Sequence, residues 1–318
     1  MRAVVFDGCK PTLRDDLPEP EPGRGEALLA VRVAGICRTD LEILAGYMGF
    51  TGVMGHEFVG EILAGPCAWT QRRVVAEINC PCGACDMCRR GASNHCRNRS
   101  VLGIDRRDGV FAERVVVPAA NLHDVPDSVA DDAAVFVEPL AAAFRILEQV
   151  DVTSASRAVV LGDGRLGQLV ARVLRGRAGE LLLVGRHGGK LALASRCGIA
   201  TASADEFTPD AGADIVVDAT GTPEGFAAAL AAVRPQGTVV LKSTFAADSG
   251  LNLAPVVIDE VTVVGSRCGP FDRTIRALAA GEVEVTDLVS ARYPLSDAPA
   301  ALDAARDREN LKVLIDVA

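Results

Sequence analysis

The sequence predicts an α/β fold in two domains, a doubly wound parallel sheet inserted into a β-rich domain. Three observations carry this expectation. The first 120 residues are short extended segments broken by Pro and Gly, the pattern of a small β barrel or sandwich. From about residue 140, apolar β-branched or Leu runs alternate with Ala-rich helical stretches, which implies a parallel sheet buried on both faces. The chain has 318 residues, enough for two domains at roughly 100–200 residues each.

In order, the early extended segments are Arg2–Phe6, Ala27–Val33, Glu57–Leu63, Arg73–Ile78 and Ala112–Val117, with Pro18, Pro20, Pro22 and Gly23 as punctuation. The alternating half then predicts strand Ala158–Leu161, helix Leu166–Arg175, strand Leu181–Val184 and helix Lys190–Cys197. Strand Asp214–Ala219, helix Glu224–Arg234, and strands Thr238–Lys242 and Val261–Gly265 follow. The tail, Asp287–Val317, returns to mixed strand and helix and is expected to rejoin the first domain. Abundant Gly and Ala suit close packing of helix on sheet.

The composition is globular, with 49% apolar and 24% charged residues. A formal charge of −9 without a basic stripe excludes nucleic acid as the expected partner. No apolar run reaches the 18 or so residues of a membrane span. Asp7 interrupts the start too early for a secretory signal. A soluble, cytoplasmic protein is expected. Ten cysteines stand out, and in a reducing compartment a cysteine cluster points to metal or catalysis before disulfides.

Gly162-Asp163-Gly164-Arg165-Leu166-Gly167 follows an apolar strand and opens an amphipathic helix. In that context G-x-G-x-x-G is a dinucleotide fingerprint: one glycine makes the turn, the next admits a pyrophosphate, the third lets helix meet strand. The helix N-terminus then receives the phosphates. An NAD site usually places an acid about 20 residues on, for the ribose 2′-hydroxyl. Here that strand ends in Gly185-Arg186-His187, and the nearby acid, Glu180, stands at its opposite end. With no carboxylate in sequence to repel a 2′-phosphate, and Arg186 able to pair with one, NADP(H) is favoured over NAD(H). The alternative is that Arg186 is a solvated loop cation.

Cys82, Cys85, Cys88 and Cys96 follow the spacing C-x2-C-x2-C-x7-C. Four thiolates so close can enclose a structural Zn²⁺ with no open position. An iron–sulfur run would have x3 before its fourth Cys and a Pro after it, and this segment has neither. Cys80 and His95 lie beside the cluster and are left out of the ligand set. A second set is scattered: Cys37 beside Thr39 and Asp40, His56 beside Glu57, and Glu138 before Pro139. Singly these suit a small core cysteine, a satisfied buried histidine and an acid at a helix N-terminus. Together they suit a catalytic metal.

In this order, and with the closing Leu311-Lys312-Val313-Leu314, the chain resembles the zinc-containing alcohol and polyol dehydrogenases of the medium-chain dehydrogenase/reductase superfamily. The resemblance implies a GroES-like catalytic domain (residues 1–140 and 269–318) carrying the structural-zinc lobe, and an inserted Rossmann domain (141–268). It implies catalytic zinc on Cys37, His56 and Glu138, Glu57 as an adjacent acid, Asp40 orienting His56, and Thr39 sharing the substrate's hydroxyl proton. It places Arg38 and Lys312 toward the cofactor pyrophosphate and Ser266–Cys268 toward the nicotinamide amide; Gly162, Gly164, Leu166, Gly167, Gly185, Arg186 and His187 complete the cofactor set. The implied activity is hydride exchange between a nicotinamide cofactor and an alcohol or polyol or its carbonyl, with two zinc ions per chain in a homodimer or homotetramer. The alternatives are a biosynthetic ketone reductase of the same superfamily and a non-catalytic cofactor-binding relative. Two departures bear on this. Glu42 stands where many relatives have a proton-relay histidine, and the short interval from Cys37 to His56 implies trimmed pocket loops, for which Tyr47, Met48, Phe50 and Trp69 are guesses at lining residues.

Overall fold

The structure is a computed structural model that describes residues 1–65, 71–243 and 251–317. Trp69 lies outside the described residues. The chain divides into two compact units, Met1–Glu138 with Phe271–Ala318, and Pro139–Pro270.

The first unit is built on a seven-stranded sheet. Its strand order is Leu122–Asp124, Arg73–Ala76, Glu57–Ala64, Glu26–Gly35, Lys312–Asp316 and Val289–Pro294, with Arg114–Pro118 also paired to Glu26–Gly35. The long strand Glu26–Gly35 is the organising element. Alternate residues along much of it are buried, so one face meets the core as period-two patterning requires. Its last residue, Gly35, pairs with Glu57 on one side and Leu314 on the other. The C-terminal strand thus completes the sheet begun by the N-terminal residues. Immediately after Gly35 the chain turns into the helix Arg38–Leu44, which opens on Cys37.

The second unit holds six parallel strands in the order Ala200–Ser203, Glu180–Gly185, Arg157–Leu161, Ala213–Asp218, Val233–Leu241 and Thr262–Gly265. The first strand in sequence, Arg157–Leu161, sits in the interior, and the order reverses beside it. That switch point is where open α/β sheets bind ligands. Helices Arg165–Leu174, Gly188–Arg196 and Pro223–Ala232 connect the strands. The core between them is aliphatic, with Val159, Val216, Ala229 and Val239 at most 2% exposed.

Several elements differ from expectation. The edge strand Ala200–Ser203 was not predicted, because its small, polar, half-exposed residues lack an apolar run. The predicted helix to Arg234 stops at Ala232, and Val233 turns extended to begin the next strand. The N-terminal unit is not purely extended either, since it contains Arg38–Leu44 and the start of Val137–Phe144.

Candidate active site and metal centres

Cys37 lies at the head of the helix Arg38–Leu44, and that geometry follows from Asp40. The Asp40 Oδ2 accepts from the Cys37 backbone amide at 2.8 Å, which satisfies one of the helix's unpaired N–H groups. Its other oxygen, Oδ1, lies 3.2 Å from Nδ1 of His56, with both side chains almost fully buried. A carboxylate at Nδ1 directs Nε2 away and fixes the ring for a ligand on the opposite side. Burial works against the charged ring, but Asp40 and then Cys37 outweigh it and hold the His56 pKa well above its ordinary value. Such a pocket of negative potential suits a divalent cation. Thr39 Oγ1 lies 3.7 Å from Cys37 Sγ.

His56 reaches the same point because Gly55, at φ +93°, packs its backbone on the Phe111 ring where a Cβ would collide. The donor atoms of Cys37, His56 and Glu57 all lie within 4.8 Å of one another. Glu138, the expected third ligand, opens the helix Val137–Phe144 and lies outside that group. Glu57 accepts from Lys312 Nζ, and both side chains are 1% exposed. The Lys312 ammonium also stands 5.3 Å over the Phe136 ring. Lys312 therefore faces Glu57 inside the unit rather than solvent. Arg38 is exposed and pairs with Glu42 one turn on, at 2.7 Å. Tyr47 and Met48 are exposed and Phe50 is buried.

The cysteine lobe brings all four sulfurs within 4.8 Å. Cys85 Sγ lies 3.5 Å from Cys88 Sγ and 3.8 Å from Cys96 Sγ, against an edge of about 3.8 Å for a zinc tetrahedron with bonds of about 2.3 Å. Backbone amides aim inward: those of Cys82 and Asn98 donate to Cys96 at 3.3 and 3.4 Å. The amides of Cys88 and Arg97 lower the Cys85 thiol to about 6. Loss of solvent and the sulfurs of Cys85 and Cys96 push Cys88 up to about 12. Four sulfurs held this close are a donor set that a dication can bind as thiolates. This donor set fits zinc, and Cys80 and His95 are not part of it.

In the second unit the three fingerprint glycines have distinct steric roles. Gly162 has φ +107° and runs against the Ala219 carbonyl. Gly164 caps the helix Arg165–Leu174 with open space where its Cβ would be, and Leu166 lies in that helix's first turn. A Cβ on Gly167 would overlap the Gly162 carbonyl. The open helix N-terminus beside a switch point fits a dinucleotide pyrophosphate. Ser266 is buried, and its hydroxyl accepts from Lys242 Nζ at 3.2 Å. Arg186 is exposed beyond Gly185. The expectation that no carboxylate stands at this strand end is corrected by the structure. Asp163 reaches it from the Gly-rich turn, accepting from the amides of Arg186 and His187 at 2.9 and 2.6 Å. The sequence signal was an acid inside the G-x-G turn paired with a glycine at the second strand's end.

The alcohol dehydrogenase GroES-like domain matches residues 23–127 and the zinc-binding dehydrogenase domain residues 166–282. A D-altritol 5-dehydrogenase of Agrobacterium fabrum is 31% identical over 93% of this chain and 94% of its own length. The chain belongs to the zinc-containing alcohol and polyol dehydrogenases of the medium-chain superfamily. A sorbitol dehydrogenase of Halalkalibacterium halodurans is 28% identical over 94% of this chain and 93% of its own. A zinc-binding dehydrogenase of Sinorhizobium meliloti, solved bound to NADP, is 27% identical with a TM-score of 0.92 over 99% of each chain. As a member of this family the chain is an oxidoreductase acting on alcohols. Among the described residues no helix is long and apolar enough to cross a membrane.

Proposed function

We propose that this dehydrogenase interconverts a secondary hydroxyl of a polyol, or of a related sugar acid, and the matching ketone, using a nicotinamide dinucleotide and one catalytic zinc, with a second zinc in the cysteine lobe. The observation that carries this is the convergence of Cys37, His56 and Glu57 within 4.8 Å, backed by Asp40 on His56. Cys37 and His56 would hold the ion, with Glu138 as the third ligand that the family resemblance implies and Glu57 as the acid already facing it. Bound zinc supplies a Lewis acid that polarises the substrate oxygen. The chain's own groups do the rest. Asp40 keeps His56 oriented, Thr39 takes the hydroxyl proton beside Cys37, and Lys312 balances the charge of Glu57 in a dry interior. Glu42, half-exposed three residues along the same helix and paired with Arg38, would pass the proton to water.

Arg186 supports NADP(H), as expected from sequence, while Asp163 opposes it. A homodimer is supported by the edge strand Thr262–Gly265 and the exposed Leu253, Val257, Ile258 and Val263 near it. A cytoplasmic location is supported by free thiols at every described cysteine. The test is a panel of C4–C6 polyols, sugar acids and their ketones with each cofactor, followed by nicotinamide absorbance. Turnover of at least one, abolished by Cys37→Ala, is expected. A chain that binds cofactor yet turns over none of them would overturn the proposal.

A further inference from the structure

The second strand of the parallel sheet ends on Gly185, about 20 residues beyond the Gly-rich turn. There a dinucleotide fold that takes NAD places its ribose-binding acid. Gly185 has no side chain to offer, yet the space is filled. A Cβ at Gly185 would run into both the Cβ and the carboxylate of Asp163. That carboxylate is 5% exposed and tied down on every side. Its Oδ2 accepts from the amides of Arg186 and His187, and its Oδ1 lies 3.0 Å from His187 Nδ1. The turn has thus exchanged roles with the strand, supplying the acid while the strand end supplies the glycine that admits it.

Resting on the nicotinamide reading above, we infer that Asp163 is the acid of the adenosine-ribose subsite and that it selects NAD(H) over NADP(H). Two physical consequences carry this. The amides of Arg186 and His187, at the head of the helix Gly188–Arg196, are the donors an anion would use at this strand end. Asp163 has already engaged both. A 2′-phosphate would also meet a fixed negative charge that solvent screens poorly, whereas a 2′-hydroxyl can donate to it. Arg186 acts in the opposite sense. It is exposed, so its attraction for a phosphate is screened and the weaker of the two.

The test is equilibrium binding of NADH and NADPH to the purified enzyme, read by nicotinamide fluorescence and independent of turnover. Wild type is expected to bind NADH at least about tenfold more tightly than NADPH. Asp163→Ser and Asp163→Asn should each move that ratio toward NADPH by about tenfold or more. The double variant Asp163→Gly with Gly185→Asp, which removes the Cβ that a residue-185 side chain would meet and returns the acid to the strand end, should restore preference for NADH. This rescue separates a charge effect from a damaged turn. A wild-type preference for NADPH, or a ratio unchanged in both single variants, would overturn the assignment of Asp163 alone. Binding of neither cofactor to wild type would overturn the nicotinamide reading and this inference with it.

Discussion

Lys312 donates to Glu57 across the backbone of Gly35, closing an ion pair between positions 255 residues apart in sequence. The pairing depends on Gly35. A Cβ there would stand 2.9 Å from Glu57 Oε2 and 3.4 Å from Lys312 Cδ. Because Gly35 is paired to both neighbouring strands, the C-terminal strand cannot dock without bringing the lysine to Glu57. Removing one partner of a buried pair leaves a bare charge and costs about 3–5 kcal/mol. Lys312→Met should therefore destabilise by about that amount in urea unfolding, while Glu57→Gln with Lys312→Met should cost less than the single changes Glu57→Gln and Lys312→Met summed. Strict additivity would mean that the pair contributes nothing.

Zinc content tests both donor sets at once. Freshly purified protein should hold two zinc ions per chain, and Cys96→Ser should hold one. Cys96 is buried and its sulfur accepts two backbone amides, so its loss also frees the lobe. A loss of about 2 kcal/mol would lower Tm by roughly 4–8 °C. Metal analysis with thermal unfolding reads both, and an unchanged zinc count in the variant would remove Cys96 from the ligand set.

The parallel half of the fold was legible because burial on both faces makes its strands apolar without interruption. Val159, Val216 and Val239 announce themselves, whereas Ala200–Ser203, at the sheet edge, buries too little to leave a signal. The convergence of the four lobe cysteines was legible because they are close in sequence. The carboxylates were harder. Glu57 and Glu138 are both plausible donors on paper, and only the folding of strand Glu57–Ala64 against Gly35 brings Glu57 to the Cys37–His56 group. Asp163 was hidden for the same reason. Its partners, Arg186 and His187, lie on the next strand's end and become neighbours only through parallel pairing of Leu161 with Val184.

His123 offers a pH test away from the active site. Nδ1 meets Asp272 at 2.7 Å and Nε2 meets Glu77 at 3.3 Å, with the ring tilted on Phe271. Burial opposes the charge, but Glu77 and Asp272 outweigh it and raise the His123 pKa. A raised folded pKa gives stability that is fully present below the unfolded value of about 6.5 and is lost as pH climbs through the folded value. His123→Gln should thus cost more stability near pH 6 than near pH 9. Equal costs at the two pH values would show that the ring is held by packing alone.

Thr39 and Cys37 should separate when each is removed. On the proposed reading Cys37 holds the catalytic zinc, so Cys37→Ala should lose one zinc and all measurable turnover while NADH affinity stays within about twofold. Thr39 meets the site through its hydroxyl, 3.7 Å from the Cys37 sulfur. Thr39→Val keeps its shape and should retain both zinc ions and cofactor affinity, yet lower kcat by about 10²–10⁴-fold, the usual worth of a positioned proton-transfer group. Metal analysis, cofactor titration and steady-state kinetics on the two variants read these outcomes independently. If Thr39→Val turned over at the wild-type rate, the proton would have to leave by another route, and the half-exposed Glu42 would lose the role given to it here. If it instead lost zinc along with activity, Thr39 would be positioning Cys37 rather than moving a proton.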